Sequence, residues 1–196
     1  MFMKRLISLL LTILLIVMVA LSAAEDSVTG SESTVNDFRD KLGYDFPVYG
    51  DTSCDLSPLS DYLLLLNENS ILLQLPELII THKEDCEWIY SEIGASKSIY
   101  LNYTRYLDNS KYTLLLQVPH TYRPKDEALI LLIQSALGMD HTKSSKLYDS
   151  LQYNVIDDWS TLKGDGFHLS YYEPHYKNGE PGSFISLIVD RDIKTE

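Results

Sequence analysis

The chain has 196 residues, of which 28 are acidic and 16 are Lys or Arg, so its formal net charge is −12, and 45% of its residues are hydrophobic. This length is enough for one domain with a substantial core and too short for two comfortable ones. The negative charge argues against nucleic acid and anionic lipid headgroups as partners, because both would be repelled.

Residues 1–24 have the three parts of an export signal. Met1 to Arg5 form a short basic start, Leu6 to Leu21 carry no charge, and Ser22 to Ala24 are the small residues that a signal peptidase needs. We expect cleavage before Glu25, which removes two basic residues and deepens the formal charge from −12 to −14. The cleaved protein would be secreted or extracytoplasmic.

The alternative for the same residues is a membrane anchor that is never cut. A spanning helix needs about 20 apolar residues, and the uncharged run here is shorter than that. A bacterial lipoprotein would carry a cysteine at the cut, but the first cysteine is Cys54. We therefore expect no membrane insertion after cleavage, whereas an uncut signal would tether the domain by its N-terminus.

Residues 25–43 are expected to be a flexible acidic spacer that contains a short helix. Their first part is rich in Ser, Thr and Glu, and it has too few apolar residues to offset the entropy lost on ordering. Thr34 suits the cap of a helix from Val35 to Leu42, and Gly43 suits its end. The single domain would then occupy residues 44–196 and begin with a turn-rich loop.

The chain has two cysteines, Cys54 and Cys86, and an even count in an exported protein indicates a disulfide between them. In the loop-entropy model, a bridge of this span stabilises a domain by roughly 3 to 4 kcal/mol. The alternative is a free nucleophilic thiol, which needs an activating histidine and a group that orients it. The residues next to either cysteine do not supply such a set.

A helix is predicted after the turn-rich loop with which the domain begins. Ser60 to Leu66 and Ile71 to Leu75 are short Leu-rich runs that fit a helix or a strand equally well. From Pro76 to Ile93, apolar residues recur every three or four positions until Gly94, which predicts an amphipathic helix. Cys86 would lie on its apolar side.

An antiparallel hairpin is predicted next. Ser98 to Tyr106 alternates with a period of two, as a half-buried strand does. Asp108 to Ser110 has turn residues, and Lys111 to Val118 is a second, more apolar strand.

Two helices and a second hairpin complete the predicted fold. Lys125 to Gly138 is apolar on most of its surface and predicts a buried helix, and Thr142 to Leu151 predicts a shorter one. A polar loop over residues 157–166 follows, and then Phe167 to Tyr172 and Ser183 to Val189 form the second hairpin. This order predicts an α+β fold, with an antiparallel sheet of two hairpins and helices packed on one face.

The sequence has no standard catalytic motif, which favours a protein that is not an enzyme. His168, Glu173 and His175 come nearest to a zinc-binding pattern. In an unbroken strand, however, His168 would point to the opposite face from Glu173 and His175, and only a bend at Pro174 would bring the three together. We therefore expect no metal or cofactor. The alternative is a small exported hydrolase in which His141, His168 or His175 meets a carboxylate.

Tyrosine is unusually frequent, with 14 residues against five phenylalanines. Several polar and aromatic residues fall on one side of the predicted strands, namely Tyr100, Asn102, Thr104, Tyr106, Ser170 and Tyr172. If helices leave that side free, it would form a polar aromatic surface suited to a protein, a peptide or a cell-wall component. The same alternation also fits tyrosines that only occupy half-exposed strand positions. We expect an exported, non-enzymatic binding protein or a domain that associates with another exported protein.

Overall fold

The computed structural model describes residues 34–94, 96–176 and 180–193, so the predicted export signal lies outside the described residues. The helices are residues 34–42 (α1), Ser57–Glu68 (α2), Lys125–Leu137 (α3) and His141–Tyr153 (α4). The strands are Val48–Tyr49 (β1), Leu78–His82 (β2), Cys86–Ile93 (β3), Ile99–Tyr106 (β4), Lys111–Pro119 (β5), Trp159–Gly164 (β6), Phe167–Tyr172 (β7) and Phe184–Asp192 (β8). None of the described helices is long and apolar enough to cross a bilayer.

The strands form one eight-stranded sheet in the order β1-β2-β3-β4-β5-β8-β7-β6. Neighbouring strands are antiparallel except β1 and β2, which run parallel. Both predicted hairpins are present, as β4 with β5 and β7 with β8. The fold is therefore mixed α and β as expected, but the sheet is larger than the two hairpins that the sequence predicted.

The predicted helix from Pro76 to Ile93 is wrong, because this segment forms β2 and β3. The residues that produce its helical spacing lie on both sides of the sheet, as Cys86 and Ile89 do in β3. The segment is also rich in β-branched and aromatic residues, which favour strands. Pairing with β4 along the whole length of β3 then favours a strand over a helix.

The predicted polar loop over residues 157–166 is also partly wrong, because it contains β6. Within β6 only Ser160 is buried and Leu162 half-buried, so the strand lacks the apolar alternation by which a strand is recognised. A two-residue turn at Asp165 and Gly166 joins it to β7. The ambiguous Leu-rich runs also differ from each other, since the first lies in α2 and residues 71–75 form no regular element.

Other elements lie where the sequence predicts them. Helix α1 ends at Gly43, whose φ of +76° only glycine adopts without strain. Gly138 ends α3 in the same left-handed conformation. Phe38 and Leu42 of α1 are buried in the same core as α3, so the packed core begins within the first helix.

Side chains alternate between two faces of the sheet, which we call the first face and the second face. The first face carries the fully buried apolar residues, including Leu101, Leu114 and Val189, and these pack in one core with α3. Two tyrosines of this face contact the helices directly. The Tyr112 hydroxyl donates to the Ala136 carbonyl of α3 at 2.9 Å, and the Tyr171 ring meets the Tyr148 ring of α4.

Candidate functional site

The six residues predicted to form a binding surface all belong to the second face. Strand pairing shows this, because directly opposed residues of neighbouring strands share a face. One row of opposed residues crosses five strands, from β4 to β6, and consists of Tyr100, Gln117, Ser186, Tyr172 and Trp159. The row beside it consists of Asn102, Leu115, Ile188, Ser170 and Thr161. Thr104 and Tyr106 follow on the same side of β4.

Asn102 and Thr104 are buried although they lie on the second face. The Thr104 hydroxyl donates to Asn102 Oδ1 at 2.9 Å, and the Asn102 amide donates to the Ile89 carbonyl at 3.4 Å. Their polar atoms are therefore used within the sheet. Tyr100, Ser170 and Tyr172 are partly exposed, and a partner would meet these residues first.

Aromatic rings gather at two places on the second face. Trp159 and Tyr172 have ring centroids 4.5 Å apart, and Phe184 lies 5.8 Å beyond Tyr172. Tyr90 and Tyr100 form a second ring pair at 5.8 Å. Sequence reasoning did not single out Trp159, because the strand that carries it was not recognised. It also did not single out Phe184, although this residue lies in the predicted strand from Ser183 to Val189.

Lysine ammonium groups cover two other rings of this face. Lys83 Nζ lies 3.2 Å from the centroid of the Trp88 ring, and Lys111 Nζ lies 4.2 Å from that of Tyr106. Such cations interact favourably with the ring face, and a ligand would have to displace them. Tyr106 is therefore less available to a ligand than the sequence suggested.

Each of the five histidines of the chain lies beside a carboxylate. The pairs are His82 with Glu87, His120 with Glu173, His141 with Glu127, His168 with Asp190 and His175 with Asp158, at nitrogen–oxygen distances of 3.6, 3.1, 3.0, 3.5 and 3.3 Å. The three histidines proposed for the enzyme alternative thus meet three different carboxylates in three places. Likewise, His168, Glu173 and His175 belong to three separate pairs and do not converge.

A polar cluster that the sequence did not predict lies where β5 and β7 end. Glu173 Oε1 is 3.1 Å from His120 Nε2, and Glu173 Oε2 accepts a hydrogen bond of 2.7 Å from the Tyr171 hydroxyl. Tyr148, which touches the Tyr171 ring, donates to Asp126 at 2.8 Å. Burial raises the pKa of Tyr171, and the bond to Glu173 raises it further. The cluster joins residues distant in sequence, so no local motif could reveal it.

Chemistry at this cluster would also need room for a substrate. A cavity of about 330 Å³ lies between α1, α2 and the loop before α2, and it is lined by residues such as Asp37, Lys41 and Ser57. Two further cavities, one beside α3 and one beside α1, likewise have no histidine in their lining. Among the described residues, no group of three or more His, Cys, Asp or Glu side chains is arranged to hold a metal ion.

The predicted bridge between Cys54 and Cys86 is not formed, and both cysteines are buried with free thiols. The Cys54 thiol lies at the Glu87 carboxylate, which belongs to the first face. Cys86 precedes Glu87 in β3 and is paired with Tyr106, so its side chain lies on the second face. The two thiols are therefore separated by the strand itself.

Cys54 is also unsuited to act as a nucleophile. Burial raises the pKa of its thiol to about 12, and the bond with the Glu87 carboxylate contributes to this rise. A nucleophilic cysteine needs the opposite shift, because the thiolate is the reactive form. The environment of Cys54 thus favours a structural role.

Glu87 is 1% exposed and is the centre of the hydrogen bonds around Cys54. The Thr52 hydroxyl donates to one carboxylate oxygen at 2.5 Å, and the Ser53 amide and hydroxyl donate to the other at 3.1 and 2.7 Å. Burial alone would raise the pKa of Glu87, but these donors and the Cys54 thiol outweigh it, so the pKa is lowered. Glu87 thereby fastens the loop over residues 52–54 to β3.

Comparison with known proteins adds no assignment. No protein-family model matches the chain, and no curated protein or solved structure is significantly similar to it. The second face and the His120–Glu173–Tyr171 cluster remain the two candidate sites.

Proposed function

We propose that the protein is exported and that, without catalysing a reaction, it binds a partner through the second face of its sheet. The observation that carries this proposal is the row that joins Tyr100 to Tyr172 and Trp159 across five strands. Large rings beside hydroxyl and amide groups offer both contact area and hydrogen bonds, as many binding surfaces do. The export signal predicted in residues 1–24 supports a partner outside the cytoplasm, namely a protein, a peptide or a cell-wall component.

We further infer that the helices pack on the first face alone. The helix contacts of Tyr112 and Tyr171 support this, because both side chains belong to that face. Trp88 and Trp159 of the second face support it as well, since they are 38% and 47% exposed. An antiparallel sheet commonly packs one face on its core and leaves the other to solvent, where a partner can reach it.

The proposal is tested with isolated envelopes of the producing cell. The full chain is expressed with a C-terminal tag, and its exported form is purified and mixed with the envelopes. We expect the double substitution Tyr100→Ser and Tyr172→Ser to reduce the bound fraction at least about tenfold, because two aromatic contacts are lost. Tyr153→Ser is the matched control, since Tyr153 is 91% exposed and lies at the end of α4.

Equal binding by the wild type and the double variant would contradict the proposal. The two variants should unfold at the same urea concentration as the wild type, which separates a lost contact from a lost fold. Loss of binding by Tyr153→Ser alone would move the binding surface to the helix side of the molecule.

A second candidate function is a small exported hydrolase. The observation that favours it is the set of His120, Glu173 and Tyr171, in which a histidine and a tyrosine meet one carboxylate. His120→Gln should then abolish hydrolysis of ester, peptide or glycoside substrates by the purified protein. Hydrolysis that is absent from the wild type, or unchanged in His120→Gln, would exclude this cluster as the active site.

A further inference from the structure

Three rings at one end of the second face form a surface that we call the ring platform, consisting of Trp159, Tyr172 and Phe184. They come from β6, β7 and β8, with centroids 4.5 and 5.8 Å apart and planes tilted by 39° and 45°. Among the described residues, no lysine or arginine covers these three rings, in contrast to Trp88 and Tyr106. Trp159 is 47% exposed and Tyr172 and Phe184 are partly exposed, so a ligand can reach the platform.

Hydroxyl and amide groups flank the ring platform. Ser186, paired with Tyr172, is buried, and its hydroxyl donates to Gln117 Oε1 at 3.3 Å, so it is used within the sheet. Ser170 and Thr161 lie beside the platform in the neighbouring row. An aromatic floor with small polar groups at its side suits a ligand that has both an apolar face and hydroxyl edges.

Charge is absent from this part of the second face. The two rows that contain Tyr100 and Asn102 carry no charged side chain from β4 to β6. The chain as a whole has 22% charged residues and a net charge of −12, so ten consecutive neutral positions distinguish this region. Beyond them, Glu92 ends the first row and is paired with Lys97 at 3.1 Å, and the row next to Asn102 carries Asp190 and Lys163. A neutral ligand complements this region better than a polyanion or a basic peptide does.

The backbone beside the platform disfavours an extended peptide. A peptide strand would add to the open edge of the sheet at β6 through main-chain hydrogen bonds. At Trp159, however, the N–H and the carbonyl are already bonded to Ile156, at 3.0 and 2.8 Å. A ligand that uses the platform must therefore lie on the face and not along this part of the edge.

The geometry points to a neutral polysaccharide as the ligand of the ring platform, a proposal that rests on the proposed function above and names its ligand class. One sugar ring stacks on the exposed ring of Trp159, which itself packs on Tyr172 with ring centroids 4.5 Å apart, and the chain continues across the strands toward Tyr100. Strands lie about 4.8 Å apart, so the four steps from Trp159 to Tyr100 span roughly 19 Å. This length accommodates several sugar units.

Tryptophan fluorescence tests the proposal directly, because Trp88 and Trp159 are the two tryptophans of the chain. In the Trp88→Phe variant, Trp159 is the single reporter. We titrate the exported protein with cello-, chito- and β-1,3-gluco-oligosaccharides, and with neutral polysaccharide from the producing cell's envelope. We expect a saturable change in emission with at least one of them, and none with polyglutamate.

Substitutions in the Trp88→Phe background locate the response. Tyr172→Ala should weaken binding about tenfold and Tyr172→Phe by less than about threefold, because the ring matters more than the hydroxyl. Tyr153→Ala is the control and should leave binding unchanged. If Tyr172→Ala does not fold, Trp159→Ala in the wild-type background, followed by calorimetry, takes its place, since Trp159 lies half-exposed on an edge strand.

The outcomes separate this proposal from the proposed function. If no oligosaccharide or polysaccharide changes the emission, but envelope binding still depends on Tyr100 and Tyr172, the ligand is not a neutral polysaccharide. The proposed binding function would still stand. Capture of a protein through the same residues would likewise contradict the polysaccharide ligand and leave the binding function standing. If neither measurement depends on these tyrosines, both proposals fail.

Discussion

Glu87 shows how one buried charge organises a region that looks irregular in sequence. Its carboxylate accepts hydrogen bonds from Thr52 and Ser53 and contacts the Cys54 thiol, so a loop without secondary structure is fixed to β3. The sequence could not predict this role, because Glu87 lies 35 residues from Thr52 and looks like an ordinary surface glutamate. Only the fold brings the donors together.

Replacing this carboxylate should destabilise the protein strongly. We expect Glu87→Gln to lower the free energy of unfolding by about 3 kcal/mol, because buried donors lose a charged acceptor and one amide group faces them instead. Urea unfolding measures the change. Glu92→Gln on the same strand is the control and should cost less than about 1 kcal/mol, since its pair with Lys97 is partly exposed. A loss below about 1 kcal/mol for Glu87→Gln would contradict this role.

We also expect Glu87 to make the stability of the protein depend on pH in the acidic range. The pKa of Glu87 is lowered from its ordinary value of 4.5, so the folded state binds its proton less readily than the unfolded chain does. The stabilisation is complete above pH 4.5 and is lost as the pH falls through the lower folded-state pKa. Thermal unfolding between pH 7 and pH 2 should therefore show a smaller loss of stability in Glu87→Gln than in the wild type. An equal loss of stability with falling pH in the two proteins would contradict this effect of Glu87.

At the scale of elements, periodicity succeeded where one face of a segment is apolar and failed where both faces carry mixed residues. Strand β4 and helix α3 were predicted closely, because a period of two and an unbroken apolar run are hard to misread. Strand β3 buries Glu87 and Ser91 among its inward residues and places Trp88 outward, so its spacing imitates a helix. Edge strand β6 buries so little that its sequence looks like a loop.

An even cysteine count predicts a disulfide but does not say on which face of a strand either side chain lies. In a helix, Cys86 would share the buried side with its neighbours, whereas in β3 the strand separates it from Cys54. We expect two thiols per chain to react with a thiol reagent in denaturant under non-reducing conditions, and neither to react rapidly in the folded protein, because both are buried. Absence of reactive thiols in denaturant would show that the cysteines are bridged.

At the scale of the whole molecule, composition and charge limit the classes of partner but do not identify the partner. The negative charge argued against polyanionic partners, and alternation placed Tyr100 and Tyr172 on strands before the sheet order was known. What the sequence could not supply was the pairing of β5 with β8, which puts these two tyrosines in one row with Trp159. Long-range pairing of this kind depends on tertiary packing, and it turns separate strand faces into one surface.

The central claim is that the second face, and not the helix side, meets the partner. Site-specific photo-crosslinking tests it most directly, with p-benzoylphenylalanine replacing Tyr172 in one version of the full chain and Tyr153 in another. After irradiation of the producing cells, we predict a discrete crosslinked product from position 172 and none from position 153. Crosslinks from position 153 alone would contradict the claim.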